Sequence, residues 1–158
     1  MRTIHSAAVL GAGTMGAQIA AHLANAGVPV LLLDLDEKTA RDGLERAAKL
    51  KPAPFFTREA ASLVSVGGFD TDLARIAESD WIIEAVSEDL EIKRRVWAGA
   101  APHVRAEAIV STNTSGIPVS SIAEALPPEL RSRFLGAHFC NPPRYLPLAQ
   151  PLGRVGRA

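Results

Sequence analysis

The stretch IHSAAVLGAGTMGAQIAAHLANAGVPVLLLD, residues 4–34, decides the fold of the chain. It contains a short apolar run, Ala7–Leu10, followed by the glycine-rich segment 11–16 and then by apolar side chains at helical spacing. Gly27 predicts the end of that helix, and a second apolar run continues from there to Asp34. The pattern predicts a strand, a helix and a second strand, which together form one βαβ unit of a parallel sheet.

Three glycines of this unit stand where a missing side chain matters. Gly11 allows a sharp turn after the strand, Gly13 allows a pyrophosphate to approach the backbone, and Gly16 allows the helix to pack close to the sheet. The free N–H groups at the helix start would bind the phosphates. A strand before the glycines, a helix after them and an acid about 20 residues further on favour dinucleotide binding over a glycine-rich turn without a ligand.

Asp34 indicates which dinucleotide is preferred. Its carboxylate, at the end of the second strand, can accept hydrogen bonds from ribose hydroxyls, whereas it would repel a 2′-phosphate. The next residue is Leu35 and not an arginine that would bind such a phosphate. The sequence therefore predicts NAD as the cofactor in preference to NADP.

Composition and charge restrict the class of protein. The formal net charge of the 158 residues is +0, so no global field favours nucleic acid or an anionic membrane as a partner. The single cysteine, Cys140, cannot form an internal disulfide, which fits a reducing compartment. The apolar run near the N-terminus is too short for a signal peptide or a membrane span. We therefore expect a cytoplasmic protein that binds neither nucleic acid nor membrane.

Apolar runs and helical patterns alternate along the rest of the chain. The predicted later strands are residues 28–33, 63–66, 81–86, 108–110 and 134–139. This alternation predicts an α/β fold of the Rossmann type over residues 1–148, with a doubly wound, mostly parallel sheet. Ligands of such sheets bind beyond the carboxyl ends of the strands. The segments at those ends are Gly11, Asp34, Ser87–Glu88, Thr112–Ser115 and His138–Asn141.

The chemistry expected at this edge depends on one histidine. An enzyme that oxidises an alcohol with a nicotinamide must remove the hydroxyl proton, and histidine suits that transfer near neutral pH. Of the four histidines, only His138 follows a predicted strand at this edge, although a structural histidine is an equal alternative. Ser115 and Asn141 could bind substrate or only form turns, and Glu88 could contact the cofactor or only complement a helix dipole.

Several longer segments together resemble one known family. They are GAGTMG (11–16) with Asp34, IIEAVSEDLEIK (82–93), TNTSGIP (112–118) and FLGAHFCNPPRYLPL (134–148). The sequence resembles the NAD-binding domain of the 3-hydroxyacyl-CoA dehydrogenases, and most closely the bacterial long-chain, multifunctional branch of fatty-acid β-oxidation. The resemblance runs from about residue 4 to residue 148.

The resemblance implies a role for each site residue. His138 would be the catalytic acid and base, Ser115 would bind substrate and cofactor, and Asn141 would hold the reacting groups. The further residues implied to line the NAD site are Met15, Asp34, Glu88 and Lys93. The implied reaction is hydride transfer from C3 of an L-3-hydroxyacyl-CoA to NAD, which gives the 3-oxoacyl-CoA.

Two features depart from the family pattern. Aligning LPL (146–148) puts Gln150 where the family has a glutamate that pairs with the catalytic histidine. A neutral amide can orient the imidazole but brings no charge to stabilise the imidazolium, so we expect weaker catalysis. Residues 149–158 have the pattern of neither strand nor helix, which predicts an irregular tail.

The family's helical domain, which completes the acyl-CoA site and usually makes a homo-oligomer, is not recognisable after this tail. We therefore expect a truncated or frameshifted product, or a fragment of a longer enzyme. The alternative function is a stand-alone NAD-binding module with little or no turnover. Another β-hydroxyacid dehydrogenase would fit the glycine segment but not the HF-x-NPP stretch (138–143).

Overall fold

The fold is a seven-stranded sheet with helices on both faces. A computed structural model describes residues 3–143 together with the backbone of residues 150–154. The strands are β1 (Ala7–Leu10), β2 (Val30–Asp34), β3 (Val64–Gly68), β4 (Trp81–Glu84), β5 (Ile109–Thr112), β6 (Phe134–His138) and β7 (Gln150–Arg154). The helices are α1 (Thr14–Asn25), α2 (Glu37–Ala48), α3 (Arg58–Ser62), α4 (Phe69–Asp72), α5 (Leu90–Ala100), α6 (Val119–Ala123) and α7 (Pro128–Arg131). Short 3₁₀ helices cover Leu73–Glu78 and Ala101–His103.

The strand order confirms the predicted doubly wound fold. It is β3-β2-β1-β4-β5-β6-β7, and every neighbouring pair is parallel except β6 and β7. Strands β2 and β3 extend the sheet from one side of β1, and strands β4 to β7 extend it from the other side. The strand order therefore reverses between β1 and β4, which is where such sheets bind their ligands.

The central strands are buried from both sides, and their side chains alternate between two cores. Ala8 of β1 belongs to the cluster that contains Trp97 and Phe134, whose rings meet edge-on with centroids 5.2 Å apart. Val9 belongs to the cluster on the other face, together with Ile19 of α1. Because interior parallel strands are covered on both faces, they are continuously apolar, and this made them predictable from sequence.

The helix starts follow local capping signals. Asp36 caps α2 by accepting a hydrogen bond from the Thr39 N–H at 2.6 Å, and Asp89 caps α5 through the Ile92 N–H at 3.0 Å. Helix α6 ends at Ala123, and a separate helix α7 begins at Pro128, because proline favours the first position of a helix.

The prediction of an irregular tail is wrong for residues 150–154. These residues form β7, which pairs antiparallel with β6 and places Gln150 opposite His138 in the backbone register. An edge strand pairs through backbone groups and tolerates proline and charged residues, so side-chain pattern gave no signal for it. The predicted domain boundary at residue 148, and residues 149 and 155–158, lie outside the described residues.

No helix within the described ranges combines the length and the apolar character needed to cross a membrane.

Gly43 of α2 lies at a position where helix packing leaves no room for a side chain. An added Cβ there would lie 2.1 Å from the backbone oxygen of Ala12, whereas at Gly99 of α5 the nearest atom would be Leu73 Cδ2 at 3.5 Å. We expect Gly43→Ala to lower the free energy of unfolding by about 1–3 kcal/mol. The matched control Gly99→Ala should raise it by up to about 1 kcal/mol through helix propensity. Urea denaturation measures both, and equal losses would contradict this packing.

Candidate functional site

The turn after β1 is built from glycines that serve different purposes. Gly11 has φ +104°, and a Cβ on it would lie 2.8 Å from the Ala85 backbone oxygen. A Cβ on Gly16 would lie only 1.8 Å from the Gly11 oxygen. A Cβ on Gly13 would meet nothing within 4 Å, although this residue is the N-cap of α1 and provides no side-chain cap. The space in front of Gly13 and the free N–H groups of α1 therefore suit an anionic group.

Asp34 is fixed against this turn at the end of β2. Its Oδ2 accepts a hydrogen bond from the Ala12 N–H at 2.6 Å, and its Oδ1 accepts from the Leu35 N–H at 2.7 Å. Each carboxylate oxygen retains further acceptor capacity, since an ionised carboxylate offers about four lone-pair sites. The carboxylate is thus oriented beside the glycine turn, where the sequence predicted a ribose contact.

A cleft of about 680 Å³ lies beside Gly13 and Asp34 at the carboxyl ends of β1 and β4. Leu35 and Ile92 contribute to its lining and are 70 % and 40 % exposed. Exposed apolar side chains in the lining of a cleft suit a flat, apolar ring system. The cleft therefore has an acceptor for hydroxyl groups at one side and apolar walls for an aromatic base.

Lys93 does not lie in the open cleft. It is 1 % exposed, and its Nζ donates to Glu84 Oε1 at 2.8 Å and to the Val86 carbonyl at 3.3 Å. The same Nζ lies 3.3 Å from Glu88 Oε2. Lys93 is therefore connected to the carboxyl ends of the strands through its ion pair with Glu88. Met15, at the start of α1, is partly buried against the core cluster that contains Val9 and Ile19.

Glu88 binds the turn that carries Ser115. Its Oε1 accepts hydrogen bonds from the Thr114 hydroxyl at 2.5 Å, the Ser115 N–H at 3.0 Å and the Gly116 N–H at 2.8 Å. We call residues 114–116 the Ser115 turn. Burial opposes ionisation of Glu88, but these hydrogen bonds and the charge of Lys93 outweigh it and lower its pKa to about 2. Glu88 is therefore an anion that orders the Ser115 turn.

His138 and Asn141 lie at the end of β6. His138 is half-buried, and its Nδ1 is buried without a hydrogen-bond partner among the side chains of residues 3–143. The next residue is fixed to the turn after β5, because the Phe139 N–H donates to Asn113 Oδ1 at 2.8 Å. Asn141 Oδ1 accepts from Gln18 Nε2 at 3.3 Å, which links this loop to α1.

The structure thus brings the predicted site segments to one edge of the sheet, which we call the carboxyl edge. Asp34 and His138 are the last residues of strands that end there, and the glycine turn and the Ser115 turn follow two further strands. Sequence reasoning missed Glu84 and Gln18, and it placed Asn113 only as part of the segment Thr112–Ser115; all three residues hold these segments in place. The only signal for Glu84 was an acid that interrupts an apolar strand, and Gln18 looked like any other helix residue. Within residues 3–143, no three metal-ligating side chains come together as a metal site.

Comparisons with known proteins agree with this geometry. Residues 6–150 match the family model described as 3-hydroxyacyl-CoA dehydrogenase, NAD binding domain, and that description names the predicted cofactor. A probable 3-hydroxyacyl-CoA dehydrogenase of Deinococcus radiodurans is 47 % identical over 93 % of this chain and 44 % of its own length. A putative fatty acid oxidation complex trifunctional enzyme of Rickettsia felis is 36 % identical over 93 % of this chain and 21 % of its own.

A solved structure shows the same likeness in three dimensions. The crystal structure of FadB2 from M. tuberculosis superposes with a TM-score of 0.78 at 33 % identity. The match covers 95 % of this chain and 54 % of that one. The chain therefore spans less than half the length of the two curated relatives and about half of this solved protein.

The depressed pKa of Glu88 predicts where pH acts on the Ser115 turn. Its ordinary pKa is 4.5 and its value in the fold is about 2, so ionised Glu88 stabilises the fold above pH 4.5. We expect that contribution to be lost as pH falls from 4.5 towards 2. The measurement is urea denaturation of the wild type and Glu88→Gln across this range. The difference between them should be constant above pH 5 and should shrink below about pH 4.5, and a difference that does not change with pH would contradict the assignment.

Proposed function

We propose a dehydrogenase function for this chain, which belongs to the 3-hydroxyacyl-CoA dehydrogenase family through its NAD-binding domain. The chain binds NAD at the carboxyl edge and supplies the proton acceptor for oxidation of an L-3-hydroxyacyl-CoA to the 3-oxoacyl-CoA. The observation that carries the proposal is the convergence at one sheet edge of an open helix N-terminus at Gly13 and the His138 segment.

The residues present fit a bound dinucleotide. The helix start at Gly13 suits the pyrophosphate, Asp34 suits the hydroxyls of a ribose, and the cleft walls suit an adenine ring. When bound, NAD supplies the hydride acceptor, and the protein supplies position and proton transfer.

His138 takes the hydroxyl proton of the substrate in this proposal. Its place at the end of β6 is supported by the bond between Phe139 and Asn113, which fixes the strand end against the turn after β5. Ser115 donates to the same substrate oxygen, from a turn that Glu88 holds in place. Asn141 orients the reacting groups from a loop that Gln18 connects to α1.

The substrate and the setting of the reaction are parts of the same proposal. The names of the two curated relatives support a 3-hydroxyacyl-CoA substrate and a step in fatty-acid oxidation. Their greater length supports a further domain in the working enzyme. In this proposal, that domain completes the acyl-CoA site and makes a homo-oligomer. The single free cysteine supports a cytoplasmic location.

The second candidate function is an NAD-binding module with little turnover. Gln150 favours it, because the backbone register puts this residue opposite His138, and a neutral amide cannot stabilise an imidazolium by charge. The two functions share the cofactor site and differ only in turnover.

Calorimetry with NAD and NADH oxidation with acetoacetyl-CoA together test the proposal. We expect NAD binding and measurable turnover, and His138→Asn should lower kcat by about 10²–10⁴-fold, because it removes the acid that protonates the substrate oxygen when the 3-oxo group is reduced. NAD affinity should change little in that variant. Gly13→Ala is the matched control, since its methyl group meets nothing in the protein but enters the space offered to the pyrophosphate. It should fold normally and lose NAD binding, and a wild type that does not bind NAD would refute both candidate functions.

The change Gln150→Glu tests whether residue 150 limits turnover. A carboxylate at residue 150 should stabilise the imidazolium formed when His138 accepts the hydroxyl proton. We expect kcat for oxidation of a 3-hydroxyacyl-CoA with NAD to rise by about tenfold, which corresponds to one pKa unit of the imidazole. Gln150→Leu removes the hydrogen-bonding group and should lower kcat. The pH profile of kcat should move to higher pH in the glutamate variant. Identical kcat values for all three proteins would show that residue 150 does not act on His138.

A further inference from the structure

We propose that the buried pair Glu84 and Lys93 is a positioning pair that sets the Ser115 turn. The inference rests on the proposed function, in which Ser115 contacts the substrate. Glu84 is the last residue of β4 and is 0 % exposed, and Lys93 in the first turns of α5 is 1 % exposed. Neither residue is among those that line the cleft, so the action we infer for the pair is exerted through its neighbours.

A contribution to the stability of the fold does not explain why this pair is buried. Removing two charges from water costs several kcal/mol for each ion, and apolar residues of similar volume often stabilise a core equally well. In this pair, however, each polar atom of the two side chains has a hydrogen-bond partner. Glu84 Oε1 accepts from Lys93 at 2.8 Å and from the Val86 N–H at 2.9 Å, while its Oε2 accepts from the Thr112 hydroxyl at 2.6 Å. Such a network defines one arrangement of the groups around it.

Two routes lead from the pair to the same turn. Along the first, Glu84 holds the Thr112 hydroxyl, which accepts a hydrogen bond from the Thr114 N–H at 3.2 Å. Along the second, Lys93 lies 3.3 Å from Glu88 Oε2, and Glu88 Oε1 binds the Thr114 hydroxyl and the N–H groups of Ser115 and Gly116. The negative and the positive member of the pair therefore fix the Ser115 turn from two sides.

The pair also connects three separate segments of the carboxyl edge. Glu84 ends β4, Lys93 belongs to α5, and Thr112 ends β5, so the network spans the gap between neighbouring strands and the helix that covers them. The backbone adds a further link, because the Asn113 N–H donates to the Glu84 carbonyl at 2.7 Å. Asn113 in turn binds the N–H of Phe139, beside His138. Glu84 is thus connected to the Ser115 turn through its side chain and to the segment that carries His138 through its backbone carbonyl.

Amide hydrogen exchange of the turn tests the inference without any ligand. The double variant Glu84→Gln/Lys93→Met removes both buried charges together, so no unpaired charge remains in the core. We expect exchange at the Ser115 and Gly116 amides to become at least about tenfold faster, the equivalent of one lost charge-assisted hydrogen bond. Exchange in β1 should stay within about twofold of the wild type. Glu124→Gln is the matched control, because it removes an exposed ion pair with Arg94 of the same helix and should leave the turn unchanged.

Each result of the exchange measurement either supports or overturns the positioning role of the pair. Faster exchange confined to the turn supports positioning, whereas unchanged turn exchange, or equal acceleration in the turn and in β1, overturns it. If the double variant does not fold, Thr112→Val interrupts the first route while the ion pair stays intact, and it should accelerate turn exchange about threefold. Turn exchange equal to that of the wild type in Thr112→Val would likewise overturn the inference.

Kinetics separate this inference from the proposed function. If the wild type turns over, the double variant should raise KM for the acyl-CoA substrate about tenfold through misplacement of Ser115, with a smaller change in kcat. A loss in kcat alone, with KM unchanged, would overturn positioning of a substrate-binding residue. A wild type that does not bind NAD would refute the proposed function, and the exchange experiment would still decide whether Glu84 and Lys93 order the turn.

Discussion

Helix α1 approaches the turn after β1 so closely that a Cβ atom on Gly16 would lie 1.8 Å from the carbonyl oxygen of Gly11. Gly11 in turn lies against the backbone of Ala85, just beyond β4, so the first strand, the first helix and the fourth strand meet through backbone contact alone. This contact determines where the first N–H groups of α1 point, and Gly13 leaves the space in front of them open. The rest of the candidate site is arranged around that one close approach.

The two halves of the carboxyl edge are built in different ways. On the β2 side, Asp34 is held by two backbone N–H groups, and the cleft walls are apolar and partly exposed. On the β5 side, charged side chains are buried and every segment is tied to the next by hydrogen bonds. The β2 side only has to accept a flat ring, for which a cleft of the right shape is sufficient. The β5 side has to hold reacting atoms, and this requires side chains in fixed positions.

Local signals made the first half predictable from sequence and left the second half incomplete. The glycine spacing, Asp34 and the alternation of strands and helices all act within about 30 residues, so their consequences can be derived from the chain itself. Other contacts join segments that are distant in sequence or belong to different elements. They are the contacts of Glu84 with Lys93 and Thr112, and the contact of Gln18 with Asn141. Strand β7 was missed for another reason, since its pairing with β6 uses backbone groups that no side-chain pattern reports.

Glu88 shows how the structure changes the interpretation of a single residue. From sequence it was a cofactor contact or an acid that complements the dipole of the next helix, yet Asp89 caps α5 and Glu88 binds the Ser115 turn. Lys93 is enclosed by Glu84 and Glu88, so two carboxylates surround one ammonium group and leave no excess positive charge there. An anionic pyrophosphate would therefore gain little attraction from Lys93. Binding of the pyrophosphate therefore depends on the N–H groups at the start of α1. Because the close approach of Gly16 to Gly11 determines where these groups point, the affinity for NAD depends on it as well.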